Sequence, residues 1–247
     1  MAKGFPVGAL CRRTPRRLAE RWNTFRVQSL FGPVALWLSA IGVTLFLTAG
    51  IVQAEERPVL LIMGDSLSAA YGIEQQAGWV SLLQARLDGK ARVVNASISG
   101  ETSSGAAARL PDLLGQHEPD IVVLELGGND GLRGLPPRQF EANMAEMIEA
   151  SQAAEADVLL LGIDIPPNYG RAYRDAFTAV YTRLADDYNL SLVPFLLEGV
   201  ALEEDLMQSD GIHPTSAAQP RILENVWPQL APLLENNGAM MAEIDQD

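Results

Sequence analysis

From residue 58 onward the chain alternates between short unbroken apolar runs and longer stretches in which apolar residues recur every three or four positions. The runs at 58–63, 91–96, 120–126, 157–163 and 191–194 have the length of strands. Four of them are continuously apolar rather than alternating, the pattern of strands covered on both faces. The stretches at 79–87, 103–114, 138–153, 170–188 and 216–234 are read as helices. Strand and helix follow one another throughout, which predicts an α/β fold with a parallel sheet sandwiched by helices. Ligands of such sheets sit outside the carboxyl ends of the strands. Polar residues gather there: Gly64, Asp65 and Ser66 after the first strand, residues 95–100 after the second, and Gly127, Gly128, Asn129 and Asp130 after the third. Asp210 and His213 fall in the loop before the last helix.

The pattern upstream is different. Residues 34–52 carry no charge, and as a helix they would span roughly 28 Å, close to the ~30 Å hydrocarbon thickness of a bilayer. Seven basic residues and one acid occupy residues 1–54, for a net of +6, whereas the remaining 193 residues carry −19. This asymmetry separates a leader from an acidic body. Val52 and Ala54 satisfy the small-residue rule of a signal cleavage site, so the expectation is export to the periplasm with cleavage after Ala54. If uncleaved, residues 34–52 would tether the body to the inner membrane. The expected organisation is a leader at 1–54, one domain at 55–234 and an acidic, frayed tail at 235–247.

Composition narrows the chemistry. The single cysteine, Cys11, lies in the leader, which excludes disulfides and Cys-based metal sites from the body. An acidic body without a basic cluster is a poor nucleic-acid partner. A body of 193 residues suits one domain with a sizeable core, and a monomer is expected.

A serine at a strand end needs a base to become a nucleophile, and the chain holds only two histidines, His117 and His213. His117 reads as a solvated helix end. His213 follows Asp210 by three residues, close enough for the carboxylate to accept from one ring nitrogen while the other faces Ser66. Each motif alone also has a bland reading. Ser66 suits a helix N-cap, Asp-x-x-His before a proline suits a surface turn, and Gly127 to Asp130 are all turn residues. The glycine of Ile-Ser-Gly-Glu-Thr, Gly100, permits close approach of the backbone to a ligand, and Asn129 offers a side-chain amide, the kind of donors an oxyanion needs. The Gly-x-Ser-x-Gly elbow of α/β-hydrolases is absent.

Taken together, Gly64-Asp65-Ser66-Leu67-Ser68, Gly100, Gly128-Asn129-Asp130 and Asp210-Gly211-Ile212-His213-Pro214 resemble the four blocks of the SGNH (GDSL) hydrolases, in the family's order. Longer stretches, such as Ile-Pro-Pro-Asn-Tyr-Gly at 165–170, are similar to its bacterial periplasmic thioesterase, lysophospholipase and arylesterase group. The resemblance covers about 59–234. It implies a flavodoxin-like three-layer α/β/α sandwich with a five-stranded parallel sheet. It further implies Ser66 as nucleophile, His213 as general base, Asp210 as its orienting carboxylate, and Ser66 N–H, Gly100 N–H and the Asn129 side chain as the oxyanion hole. The implied activity is hydrolysis of small acyl esters and thioesters, acyl-CoA, aryl esters and lysophospholipids among them, through an acyl-enzyme without metal or cofactor.

Two loops at the same sheet edge are expected to hold the acyl chain, with Leu132 and Leu135 on one and Ile165, Pro166 and Tyr169 on the other. The same residues serve equally well as packing under ordinary loops. Three further readings compete. One is a carbohydrate O-acetyl esterase of the cell envelope, and another a non-catalytic envelope binding protein. A third, a carboxylate metal site at Asp65, Asp130 and Asp210, lacks nitrogen ligands beyond His213. No Gly-x-Gly-x-x-Gly or P-loop follows the first strand, which removes nucleotide binding.

Overall fold

The computed structural model describes residues 57–239. The leader at 1–54, with its apolar stretch and expected cleavage site, and residues 240–247 lie outside the described residues. Within them, β1 (Val59–Gly64), β2 (Arg92–Asn95), β3 (Ile121–Glu125), β4 (Asp157–Leu161) and β5 (Ser191–Val193) pair in parallel in the order β2-β1-β3-β4-β5. The helices are α1 (Trp79–Leu87), α2 (Ser103–His117), α3 (Gly128–Leu132), α4 (Pro137–Ala153), α5 (Arg171–Tyr188) and α6 (Gln219–Asn236). Helices α1 and α6 pack together on one face, and α2, α4 and α5 pack in series on the other. The chain thus winds first to one side of β1 and then to the other, so the connections diverge between β1 and β3. That divergence opens a crevice at the carboxyl edge.

Burial follows the apolar runs. Leu60 to Met63 of β1 and Ile121 to Leu124 of β3 are fully buried, as expected of central parallel strands. The edge strands differ. β2 is half-exposed along its length, with Arg92 and Asn95 in solvent, because no strand lies beyond it. On α5 the buried stripe is Phe177, Val180, Tyr181 and Leu184, spaced to face the sheet. Phe177 stacks on Phe140 of α4 with centroids 4.6 Å apart.

Two elements depart from the sequence expectation. Residues 128–132 form a five-residue helix, α3, where composition reads as a turn or ligand loop. At the carboxyl end, α6 runs to Asn236, Asn237 donates to Asp157 Oδ2 at 2.8 Å, and Ala239 is buried. The folded body therefore extends past Leu234, and residues 235–239 are not a frayed tail.

The first and last helices are tied by one buried hydrogen bond. Gly78 precedes α1 and has no side chain to cap it. Gln219, 1% exposed at the start of α6, instead accepts from Trp79 N–H through Oε1 at 3.0 Å. Removing that acceptor strands a buried donor. Gln219→Ala is expected to destabilise the fold by about 1–3 kcal/mol, read as a lower urea midpoint with unchanged slope. An unchanged midpoint would show that water replaces the amide.

Candidate active site

Ser66 lies two residues beyond β1, in a turn held from below by β3. The last residue of β3, Glu125, is fully buried. Its Oε2 accepts from Asp65 N at 3.1 Å and from Ser68 Oγ at 2.7 Å, gripping the turn on both sides of Ser66. This requires Gly64: a Cβ there would lie 2.7 Å from that oxygen and from Ser68 Cβ. Burial, with the Asp65 carboxylate nearby, pushes the Glu125 carboxyl well above its ordinary range, which favours the neutral acid.

His213 reaches the serine from the far end of the chain. Its Nε2 lies 2.9 Å from Ser66 Oγ, and its Nδ1 lies 2.7 Å from Asp210 Oδ2. The other Asp210 oxygen accepts from the backbone N–H of Ile212 and His213, at 2.9 and 3.0 Å, which fixes the carboxylate before it meets the ring. The hydrogen bonds from His213 hold the Asp210 carboxyl down at about 2, so it is ionised at any working pH. The loop is braced by an isolated bridge between Met207 and Pro214. Gln208 completes the brace, its Nε2 donating to Tyr71 O at 2.9 Å and to Pro214 O at 3.0 Å. The Tyr71 ring leans on the imidazole, centroids 4.4 Å apart. His117 ends α2 at the amino edge of the sheet, remote from this cluster.

The polar partners of Ser66 are fixed by a second network. Asp65, 2% exposed, accepts from Leu67 N–H at 3.0 Å and from Asn129 Nδ2 at 2.9 Å. One amide hydrogen of Asn129 is thereby spoken for, and the other is aimed by the same contact. Burial lifts the Asp65 carboxyl to about 6 against the opposing hydrogen bonds. Asp130, next in α3, accepts from Ser103 N–H at 2.9 Å and Ser103 Oγ at 2.5 Å, tying the start of α2 to α3. Arg133 donates to Gly100 O at 3.0 Å from the same helix. Gly100 has φ +82° and nothing within 4 Å of a notional Cβ, so its backbone faces open space. Asp65, Asp130 and Asp210 are thus each committed to a different partner, and no group of three or more metal-binding side chains exists among the described residues.

Beside Ser66 and His213 runs a cleft of about 600 Å³. Leu132, Ile165 and Pro166 line it, while Leu135 and Tyr169 do not. Tyr169 turns its hydroxyl to Leu132 O at 2.6 Å, and Leu135 O accepts from Tyr173 at 2.8 Å, so both bonds tie the end of α3 and the segment after it to the tyrosines of the second loop and of α5. The opposite wall, unread in the sequence, is Phe195, Leu197, Ala201, Leu202, Met207 and Ile212. These apolar residues carry no periodicity that marks them.

Comparison with known proteins places the chain in a family. The family model of the GDSL-like lipase/acylhydrolases matches residues 62–220. The chain is 55% identical over 187 residues to the esterase TesA of Pseudomonas aeruginosa, covering 74% of this chain and 93% of the relative. It is 47% identical over 193 residues to thioesterase 1/protease 1/lysophospholipase L1 of Escherichia coli, covering 78% and 93%. Among solved structures, the psychrotrophic esterase EstA of a Pseudoalteromonas species, inhibited there by monoethylphosphonate, superposes with a TM-score of 0.69 at 46% identity, over 72% of this chain and 99% of that one. The chain belongs to the GDSL-like lipase/acylhydrolase family and is a carboxylic ester hydrolase.

Proposed function

We propose that the protein hydrolyses acyl esters and thioesters of small amphiphiles in two steps through an acyl-enzyme on Ser66. The observation that carries this reading is the unbroken chain from Ser66 Oγ through His213 to Asp210, at 2.9 and 2.7 Å. With Asp210 ionised, the imidazole proton sits on Nδ1 and leaves Nε2 free to accept from the serine. Ser66 then attacks the acyl carbonyl as its proton passes to His213. The negative charge that develops on the carbonyl oxygen is met by donors fixed in advance: the second amide hydrogen of Asn129 and the backbone N–H groups of Ser66 and Gly100. The protonated His213 next gives its proton to the leaving alcohol or thiol. Water, activated by the same imidazole, releases the acid.

The cleft favours acyl chains over sugars. Its walls are mostly aliphatic, with Phe195 and one charged pair, Asp164 and Arg174, and its volume is within the usual range for small-molecule sites. An acetylated glycan would find few hydrogen-bond partners along them. Aryl esters, acyl-CoA and lysophospholipids all present an acyl chain to one side of the scissile bond and a solvated group to the other. The leader's charge pattern supports export, with action in the periplasm on such substrates.

Ser66→Ala and His213→Ala are expected to lower kcat on p-nitrophenyl butanoate by roughly 10⁴- to 10⁶-fold, and Asn129→Ala by about 10²- to 10³-fold, with KM changed far less. Near-wild-type turnover in Ser66→Ala would remove the scheme. Acidity offers a separate check on Asp65. Its pKa of about 6 means that it is ionised at pH 8 and protonated at pH 5, where its hold on Asn129 weakens. Wild-type kcat should therefore fall more steeply through pH 6 than that of Asp65→Asn, which starts lower but has no proton to gain there. Parallel acid limbs would mean that Asp65 does not govern the donor.

A further inference from the structure

The acyl cleft has two polar poles, and the reaction explains only one of them. The first is Ser66, Asn129, Asp65 and His213. The second is Asp164 and Arg174, which line the same cleft among Ile163, Ile165, Pro166 and Pro167. Asp164 follows β4, and its Oδ1 accepts from Ile165 N–H at 2.7 Å. Its Oδ2 accepts from Arg174 Nη2 at 2.5 Å. Arg174 stands in the first turn of α5, its backbone N–H bonded to Gly170 O at 3.1 Å. One member is thus held by a loop and the other by a helix, and both keep part of their surface in water, 38% of the Asp164 side chain and 29% of that of Arg174. Arg174 Nε is shut off from solvent and has no hydrogen-bond partner.

Position gives the pair its meaning. Ser66 follows β1 and Asp164 follows β4, with β3 between them. Two strand spacings amount to about 10 Å along the carboxyl edge. An acyl chain starting at Ser66 and running toward β4 meets apolar walls first and the ion pair after a short to medium length. Each methylene buried against the wall improves binding by up to about fourfold. A chain that goes further must cover a carboxylate and a guanidinium, one of whose nitrogens is already unpaired. Taking these groups out of water is unfavourable, and an alkyl chain offers nothing in return.

We propose that the Asp164–Arg174 ion pair is a polar stop on the wall of the acyl groove, about 10 Å along the sheet edge from Ser66, and sets the upper chain length the enzyme accepts. This rests on the acyl-ester reading of the cleft. It concerns polarity rather than a particular residue, so exchanging the two charges preserves it, whereas making both positions apolar abolishes it. Removing the guanidinium alone leaves an unpaired carboxylate, a harder obstacle than the pair.

The test is the ratio of kcat/KM on p-nitrophenyl dodecanoate to that on p-nitrophenyl butanoate, which cancels any general loss of activity in a variant. Asp164→Leu with Arg174→Met is expected to raise this ratio about tenfold or more. Arg174→Met alone should lower it or leave it, and the exchange Asp164→Arg with Arg174→Asp should keep it near the wild-type value. An unchanged ratio in the apolar double variant overturns the proposal, as does a raised ratio in Arg174→Met, which serves if the double variant does not fold. A loss in Arg174→Met confined to dodecanoyl-CoA, with the p-nitrophenyl ester of the same chain spared, also overturns it and makes Arg174 an anchor for an anionic leaving group. Failure of the wild-type protein to cleave p-nitrophenyl butanoate at all would instead remove the ester-hydrolase reading beneath it.

Discussion

A hydrogen bond between residues 147 positions apart, from Ser66 Oγ to His213 Nε2, is the contact on which the rest of the structure depends. Neither partner is useful alone: a serine hydroxyl is a poor nucleophile, and an imidazole at a loop tip is an ordinary surface group. To bring them together the chain must close its last loop over its first turn. The sheet order does most of this by placing β1 inside the sheet, between β2 and β3, where connections diverge to both faces. Three smaller ties finish it. Gln219 holds α6 to the start of α1, Gln208 holds the histidine loop to Tyr71, and the Met207–Pro214 bridge stiffens the loop itself.

Electrostatics then assign different states to three carboxyl groups around one serine. Asp210 is partly exposed and receives three hydrogen bonds, so it stays ionised and fixes the imidazole tautomer. Asp65 is buried but receives two, and it sits at the border between its two forms near pH 6. Glu125 lies deepest, and its burial favours the neutral acid, which takes backbone and hydroxyl donors on one oxygen without adding a second buried charge. The gradient runs from solvent to core. It lets a charged orienting group, a donor-holding group and a structural anchor coexist in one cluster.

Much of this was legible in residue order. Central strands announce themselves because burial on both faces demands unbroken runs such as Leu60 to Met63. The pairing of Ser66 with His213 was legible because only two histidines compete for the role and only one has a carboxylate three residues before it. Other features are set by tertiary contacts that leave no local trace. The helix at Gly128–Leu132 consists mostly of turn formers, and the ties from Asp130 to Ser103 and Arg133 to Gly100 hold it in place. Leu135 and Tyr169 look like groove residues, yet their neighbours Leu132, Ile165 and Pro166 line the cleft, while the Tyr169 hydroxyl is committed to Leu132 O. Glu125 did carry a signal that went unread, a carboxylate ending an otherwise apolar strand.

The central claim is that the fold itself activates one hydroxyl. Mass mapping of the folded protein after brief exposure to a fluorophosphonate tests it most directly, since this reagent reacts with serines only where a base and oxyanion donors surround them. The account predicts a single adduct on the peptide containing Ser66, formed slowly or not at all in His213→Ala and in protein unfolded beforehand. An adduct on another serine, or equal labelling of Ser66 without His213, would contradict it.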